Sequence, residues 1–388
     1  MDERIWSLPG PRSFVEEITA PVGRHVAVVL PAVLARDSLF VDGLAVRVIE
    51  QFARSGRTAQ RVHPGDAKTA FEAMQGLCWD PPATISDLLT DPETAGTFAV
   101  LSGADLSDTA RGDLPVFLEK VERASRSLPD AQRLTLITIG SRHQLPLFAG
   151  GATSEVTLAS VWFWGRIARW DVAAHIAAAM PTGDRGVLNE VRSETIVEVA
   201  AWDIDAAEYL VENWSGDPAH IENALSFAPS PAESVTARWG ALATTETPPT
   251  PILEAWDSRA ADVWHERVRL GTAATLADSA RLKRLVWSAQ ARVLLPWIEQ
   301  HRDRLHKEVR NVLGSRYRQQ VQRVLPDHDP SGLIEIGPLQ RLIRANKTLQ
   351  FLSAPARELT RSRNALAHLR PLSLSDQHAL IEHCAELN

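Results

Sequence analysis

The sequence predicts a multidomain protein of mixed class: a parallel α/β sheet domain over residues 1–150, a helical region and linker over 151–250, and a helical part again over 251–388. Three observations carry this. Short apolar runs rich in β-branched residues alternate with helical periodicity through residue 140, the pattern of parallel strands joined by crossover helices. From about residue 155 the helical period takes over. A Pro/Ser/Thr-rich stretch over 226–251, ending in TTETPPTP, reads as a linker or exposed loop.

Each element follows from local chemistry. Residues 1–15 contain Pro9 and Pro11 and read as an extended arm leading into a helix from Ser13. HVAVVL at 25–30, bounded by Gly23 and Pro31, reads as a buried strand. Helical spacing over 39–53 stops at Ser55-Gly56, and 59–63 offers a second strand. A helix is expected over 66–77, before the break at Pro81-Pro82. Residues 97–101 form the next strand, running out toward Asp105, and 114–128 an amphipathic helix. RLTLITI at 133–139, closed by Gly140, is the strongest strand. Helices are then expected over 156–180, 187–214 and 273–325, with Pro296 as a kink point in the last. Residues 327–332 (DHDPSG) read as a turn rather than as metal ligands. A helix starts near Pro355 and stops before Pro371, and a final one spans 375–387.

Composition is that of an ordinary globular chain, with 45% hydrophobic and 23% charged residues. Cys78 and Cys384 are too few for a disulfide framework or a zinc site. The charged start lacks a signal-peptide core, and no apolar run approaches a membrane span, so a cytoplasmic protein with no membrane partner is expected. Charge is uneven: residues 280–370 hold 18 Lys/Arg against 7 Asp/Glu, although the whole chain carries −7. Either this part meets a polyanion or it packs on the acidic remainder. Most of the twelve tryptophans read as core or interface anchors.

The basic part contains RSRNALAH at 361–368. At about 100° per residue, Arg361, Asn364 and His368 share one helix face. Leu359, Leu366 and Leu369 fall on the other side as a buried stripe. Arg363 lies about 140° from His368. Guanidinium forks suit phosphate oxygens, and an imidazole can move a proton near neutral pH. The plain alternative is a solvated face, with Glu358 and Arg361 as an i,i+3 ion pair.

Arg363-Asn364 followed by His368 resembles the R-x(4–6)-H signature of the HEPN superfamily, and Arg361 also satisfies the spacing. Residues 334–343 resemble the helix start that precedes such a motif, and 368–373 the break that follows it. The resemblance covers roughly residues 270–388. It implies an antiparallel helical bundle that dimerises, and in many members a metal-independent endoribonuclease of toxin or antiviral-defence systems. Others of the family only bind, as scaffolds beside protein partners. The implied roles are His368 as general acid/base, Arg363 with Arg361 on the phosphoryl oxygens, and Asn364 orienting. Arg341, Arg344, Lys347 and Arg370 would contact the RNA backbone. No metal or cofactor is implied.

The N-terminal order of strands and helices resembles a P-loop NTPase core of the AAA/STAND type. That core needs a glycine loop ending in Gly-Lys-Ser/Thr after its first strand, so that backbone donors and the lysine hold phosphates. LPAVLAR at 30–36 has neither. The region therefore reads as degenerate, nucleotide binding is not expected, and Asp105 is the lone match to a magnesium-binding position. H-E-x-x-H, paired C-x-x-C and G-x-S-x-G are absent from the sequence.

Overall fold

The computed structural model describes residues 3–21, 23–129, 133–145, 158–180, 186–227, 243 and 245–387. The chain divides into two compact units, Met1–Ala174 with Pro231–Gly271, and His175–Ser230 with Thr272–Asn388. These boundaries differ from cuts at 150 and 250: residues 251–271 fall with the sheet, and 175–230 with the C-terminal helices. Most of the linker read at 226–251 lies outside the described residues.

The first unit is built on a five-stranded parallel sheet of β1 (His25–Leu30), β2 (Ala59–Arg61), β3 (Phe98–Ser102), β4 (Thr135–Ser141) and β5 (Leu158–Trp162), ordered β2-β3-β4-β1-β5. Every residue of β1, β3 and β4 is buried, as expected of parallel strands covered on both faces. Helix α1 (Pro9–Thr19) precedes the sheet, and the connections carry α2 (Ala32–Arg36), α3 (Ser38–Arg54), α4 (Ala70–Gln75), α5 (Ile85–Thr90) and α6 (Asp108–Ser125). Caps fix several starts: Asp37 accepts from Leu39 and Phe40, Thr84 and Asp87 form a capping box, and Ser107 accepts from Ala110.

His25 ties β1 to its neighbours. Its Nδ1 accepts the Leu136 N–H at 2.9 Å, which leaves Nε2–H to donate to Ser125 Oγ at 2.6 Å. Burial, with Arg133 nearby, pushes its pKa down to about 3, so the ring stays neutral.

Three expectations need correction here. The arm over 1–15 is helical from Pro9, because a proline in the first turn lacks only an N–H that had no partner anyway. Trp6 and Phe14 then pack with Phe40 and Phe163. Residues 158–162 form strand β5 rather than helix, since pairing with β1 (Val26 opposite Ala159, Val29 opposite Trp162) outweighs any helical reading of LASVW. The helix α7 (Arg169–Ala179) follows it. Within 251–271 the chain makes a short helix and a hairpin instead of continuing helically. The short helices α8 (Val187–Ala200), α9 (Ile204–Asn213) and α10 (Ile221–Ser226) precede α11 (Leu253–Asp257). The hairpin pairs β6 (Ala261–Trp264) with β7 (Arg267–Leu270) across His265 and Glu266, both at positive φ (51° and 61°). That is the twist a two-residue turn requires, reached here without Asn or Gly.

The hairpin is fastened by Asp262. Its Oδ1 accepts the Gly165 N–H at 2.8 Å and the Val263 N–H at 2.7 Å. Gly165 has φ +66°, and a Cβ there would lie 3.1 Å from Val263 Cβ, so both conformation and space call for glycine.

The second unit is helical among its described residues. It contains α8, α9, α10, α12 (Thr272–Leu276), α13 (Ser279–Leu313), α14 (Tyr317–Val324), α15 (Ile336–Arg344), α16 (Ser353–Ala367) and α17 (Leu374–Cys384). Helix α13, about 50 Å long at 1.5 Å per residue, packs on α8 and α16, and α16 packs on α15 and α17. Its buried stripe Leu294, Ile298, Leu305 and Val309 joins Leu339, Leu342, Leu359, Leu366 and Leu380 in one core. Pro296 lies within α13 without ending it. The helices expected over 187–214 and 273–325 are each divided. Asp203 caps a new start at Ala206, Asp278 caps α13 at Arg281, and Gly314 (φ +52°) closes α13. No helix among the described residues is long and apolar enough to cross a membrane.

Asp262 yields a pH prediction. Burial pushes its carboxyl from 3.8 up to about 7, against the pull of the two N–H donors, Arg259 and Arg166. Both donors address Oδ1, which leaves Oδ2 to carry the proton. A folded pKa above the unfolded value means stability that is complete below about pH 4 and lost as pH rises through about 7. Denaturant titrations at pH 4 and 7 should therefore show a steeper loss for the wild type than for Asp262→Asn. Equal pH slopes would refute the proton at this site.

Candidate active site on helix α16

The run 361–368 falls on the last two turns of α16, with His368 as the residue that caps it. The end of the helix is built by hydrogen bonds. Leu369 N–H donates to Leu366 O at 3.2 Å, and Arg370 N–H reaches back to Ala365 O at 3.0 Å. This is the six-to-one closure of a Schellman motif, with Leu369 at the left-handed position usually given to glycine (φ +57°). The expected burial of Leu369 with Leu359 and Leu366 is therefore corrected: the chain reverses before it can join the stripe, and it is 58% exposed.

Helix α13 holds this reversal from behind. Trp287 Nε1–H donates to Leu366 O at 2.7 Å. One turn on, Gln290 is fully buried and grips Leu372 on both sides. Its Nε2 donates to Leu372 O at 2.9 Å, and its Oε1 accepts Leu372 N–H at 2.6 Å. His368 thus sits between two anchored points, 366 and 372. Trp287 is one of the tryptophans expected as core or interface anchors, whereas Gln290 belongs to no motif of the sequence. The signal was present, as a polar residue within the apolar stripe of a long helix.

The four catalytic candidates separate in this frame. His368 and Asn364 are exposed. Arg363 is half-buried and has no ion pair or side-chain hydrogen bond among the described residues. Arg361 is committed elsewhere: its Nη2 lies 2.9 Å from Glu358 Oε2 and 2.8 Å from Asp376 Oδ1. Glu358 is buried, and its Oε2 is within ion-pair distance of Arg361 but not aligned for a hydrogen bond. Asp376 belongs to the first turn of α17, where it closes a capping box with Ser373. Arg361 therefore fastens α16 to α17, and the i,i+3 pair read from sequence is present.

Arg341 and Arg344 lie on the last turn of α15, the helix packed on α16, and Lys347 on the turn that follows. Together with Arg370 they are exposed and carry no ion pair among the described residues. Two other histidines of the basic segment, His301 and His306, are structural. His301 bonds Trp297 O, His306 bonds the Tyr317 hydroxyl at 2.6 Å, and burial lowers the pKa of both. Asp329 is turned onto Ser331 in a local turn, and among the described residues no group of three potential ligands could hold a metal ion.

In the first unit, Asp105 is bound to Arg61 at 2.8 Å, and Arg61 also pairs with Asp42. Its carboxylate thus neutralises a guanidinium. After β1 the chain passes through Pro31 directly into α2.

No family model matches the chain, and no curated protein matches it.

Gln290→Ala removes both bonds to Leu372 from a site without water access. Equilibrium denaturation should register a loss of about 2–4 kcal/mol, combining an unpaired main-chain group with lost packing. A cost comparable with an exposed substitution, within about 0.5 kcal/mol, would show that the grip is not needed.

Proposed function

We propose that the protein is a metal-independent endoribonuclease of a toxin or antiviral-defence system, with its catalytic residues on α16 in the second unit. The single observation that carries this reading is an exposed imidazole, His368, on a backbone fixed at 366 and 372, on the same helix as Arg363, a guanidinium that no carboxylate neutralises among the described residues. In the proposed chemistry the ribose 2′-hydroxyl attacks the adjacent phosphate and the 5′-oxygen leaves. His368 moves the proton, and Arg363 stabilises charge on the phosphoryl oxygens. Asn364 orients the phosphate or the ring. In this reading Arg361 is a positioning residue through Glu358 and Asp376, and Arg363 is the catalytic arginine. Arg341, Arg344, Lys347 and Arg370 hold the strand through its phosphates. Two copies, paired through an antiparallel C-terminal bundle, would set two such sites side by side.

One observation favours a second reading. Arg361 and Asp105, the other arginine that fits the motif and the one magnesium-like aspartate, are both spent on internal ion pairs. A non-catalytic scaffold within a multi-protein defence complex would tolerate both losses.

Purified protein should cleave single-stranded RNA in EDTA. His368→Ala should remove that activity with no change in Tm, because the ring is exposed and unpartnered among the described residues. Arg363→Ala should lower the rate by about 100-fold or more. Arg361→Ala should chiefly lower Tm. Cleavage that survives in His368→Ala removes the catalytic assignment, and RNA binding without cleavage in the wild type selects the scaffold.

A further inference from the structure

The first unit has its own crevice, which the nuclease reading does not use. Strand β1 leads toward one edge of the sheet, to β2, whereas β4 beside it leads to β5 on the far side of β1. Adjacent parallel strands whose continuations diverge leave an opening at their carboxyl ends, where open α/β sheets bind ligands. A cavity of about 320 Å³ lies there, lined by Ala32, Ala35, Arg36, Ala104, Arg111, Ser141, His143 and Gln144. Its charged and titratable lining is two arginines and a histidine, with no acid among the described lining residues.

The rim already holds one oxyanion. The buried carboxylate of Asp257 accepts the Ala32 N–H at 3.3 Å and pairs with Arg142, and His143 Nε2 lies 3.3 Å from it. Backbone, guanidinium and imidazole therefore converge on a carboxylate at this junction. That carboxylate does not use Arg36 or Arg111. Arg111 is fixed by Gly103 O at 2.9 Å, Leu106 O at 2.8 Å and Asp108 Oδ1 at 2.8 Å. Five N–H groups on a guanidinium leave it two donors to spare. Arg36 is exposed and has no partner among the described residues.

We propose that this crevice binds the phosphate group of a small phosphate monoester. Arg36 supplies the unneutralised charge and Arg111, paired with Asp108, adds its two spare donors, since guanidinium forks match phosphate oxygens. Ser141 and Gln144 offer polar contacts, and the three alanines leave space for a short organic body. A metal-bound triphosphate fits poorly: the glycine-lysine loop is missing, Asp257 occupies the Ala32 N–H, and Asp105 is bound to Arg61.

The test is calorimetric titration of the full chain with inorganic phosphate and with glycerol 2-phosphate at constant ionic strength. Saturable binding is expected, with glycerol 2-phosphate the tighter probe. Arg36→Gln should weaken it at least tenfold, and Arg323→Gln, which removes an exposed charge in the other unit, should leave it unchanged. Absence of saturable heat with both probes overturns the proposal, as does equal affinity in Arg36→Gln and wild type. The outcome is independent of RNA cleavage, so either reading can fail alone.

Discussion

A buried carboxamide gripping both main-chain groups of Leu372 is the constraint on which the end of α16 depends. Without water nearby, those groups need protein partners, and Gln290 supplies them from a different helix. Trp287, one turn earlier on α13, fixes Leu366 O. The five residues between must then reverse direction in a short space. They do so by forcing Leu369 into a left-handed conformation that costs a non-glycine residue about 1 kcal/mol or more. The same reversal leaves His368 outside the core.

Carboxylates decide which cations remain available, and the two units obey the same rule. Arg361 is consumed by Glu358 and Asp376, Arg61 by Asp42 and Asp105, and Arg142 by Asp257. Arg363, Arg341, Arg344, Lys347, Arg370 and Arg36 have no such neighbour among the described residues. An exposed, unneutralised guanidinium is free to meet a phosphate, whereas a paired one must first break an existing contact. Local net charge alone therefore overstates the basic surface.

Strands β1, β3 and β4 were legible to within two residues, because buried parallel strands are nearly continuous apolar runs between turn residues. The hairpin 261–270 was not, because its turn uses His265 and Glu266 where a sequence signal would be Asn-Gly. Strand β5 was hidden for a different reason: LASVW carries no period of its own and becomes a strand by pairing with β1. The helix breaks at Asp203 and Asp278 were written as capping residues but lay within longer apolar patterns.

By itself the sequence determined the mixed class, the central strands, the basic C-terminal part and the shared face of Arg361, Asn364 and His368. Backbone periodicity and side-chain chemistry are local properties, and local properties can be read one residue at a time. Tertiary structure alone decided that Asp376 joins Glu358 on Arg361 while Arg363 meets no carboxylate among the described residues, that Gln290 holds the turn, and that Asp257 lies beside a crevice lined by two arginines. Each of those outcomes depends on which group from a distant part of the chain folds into contact with a given charge or amide. That pairing is fixed by packing, and no spacing in the sequence encodes it.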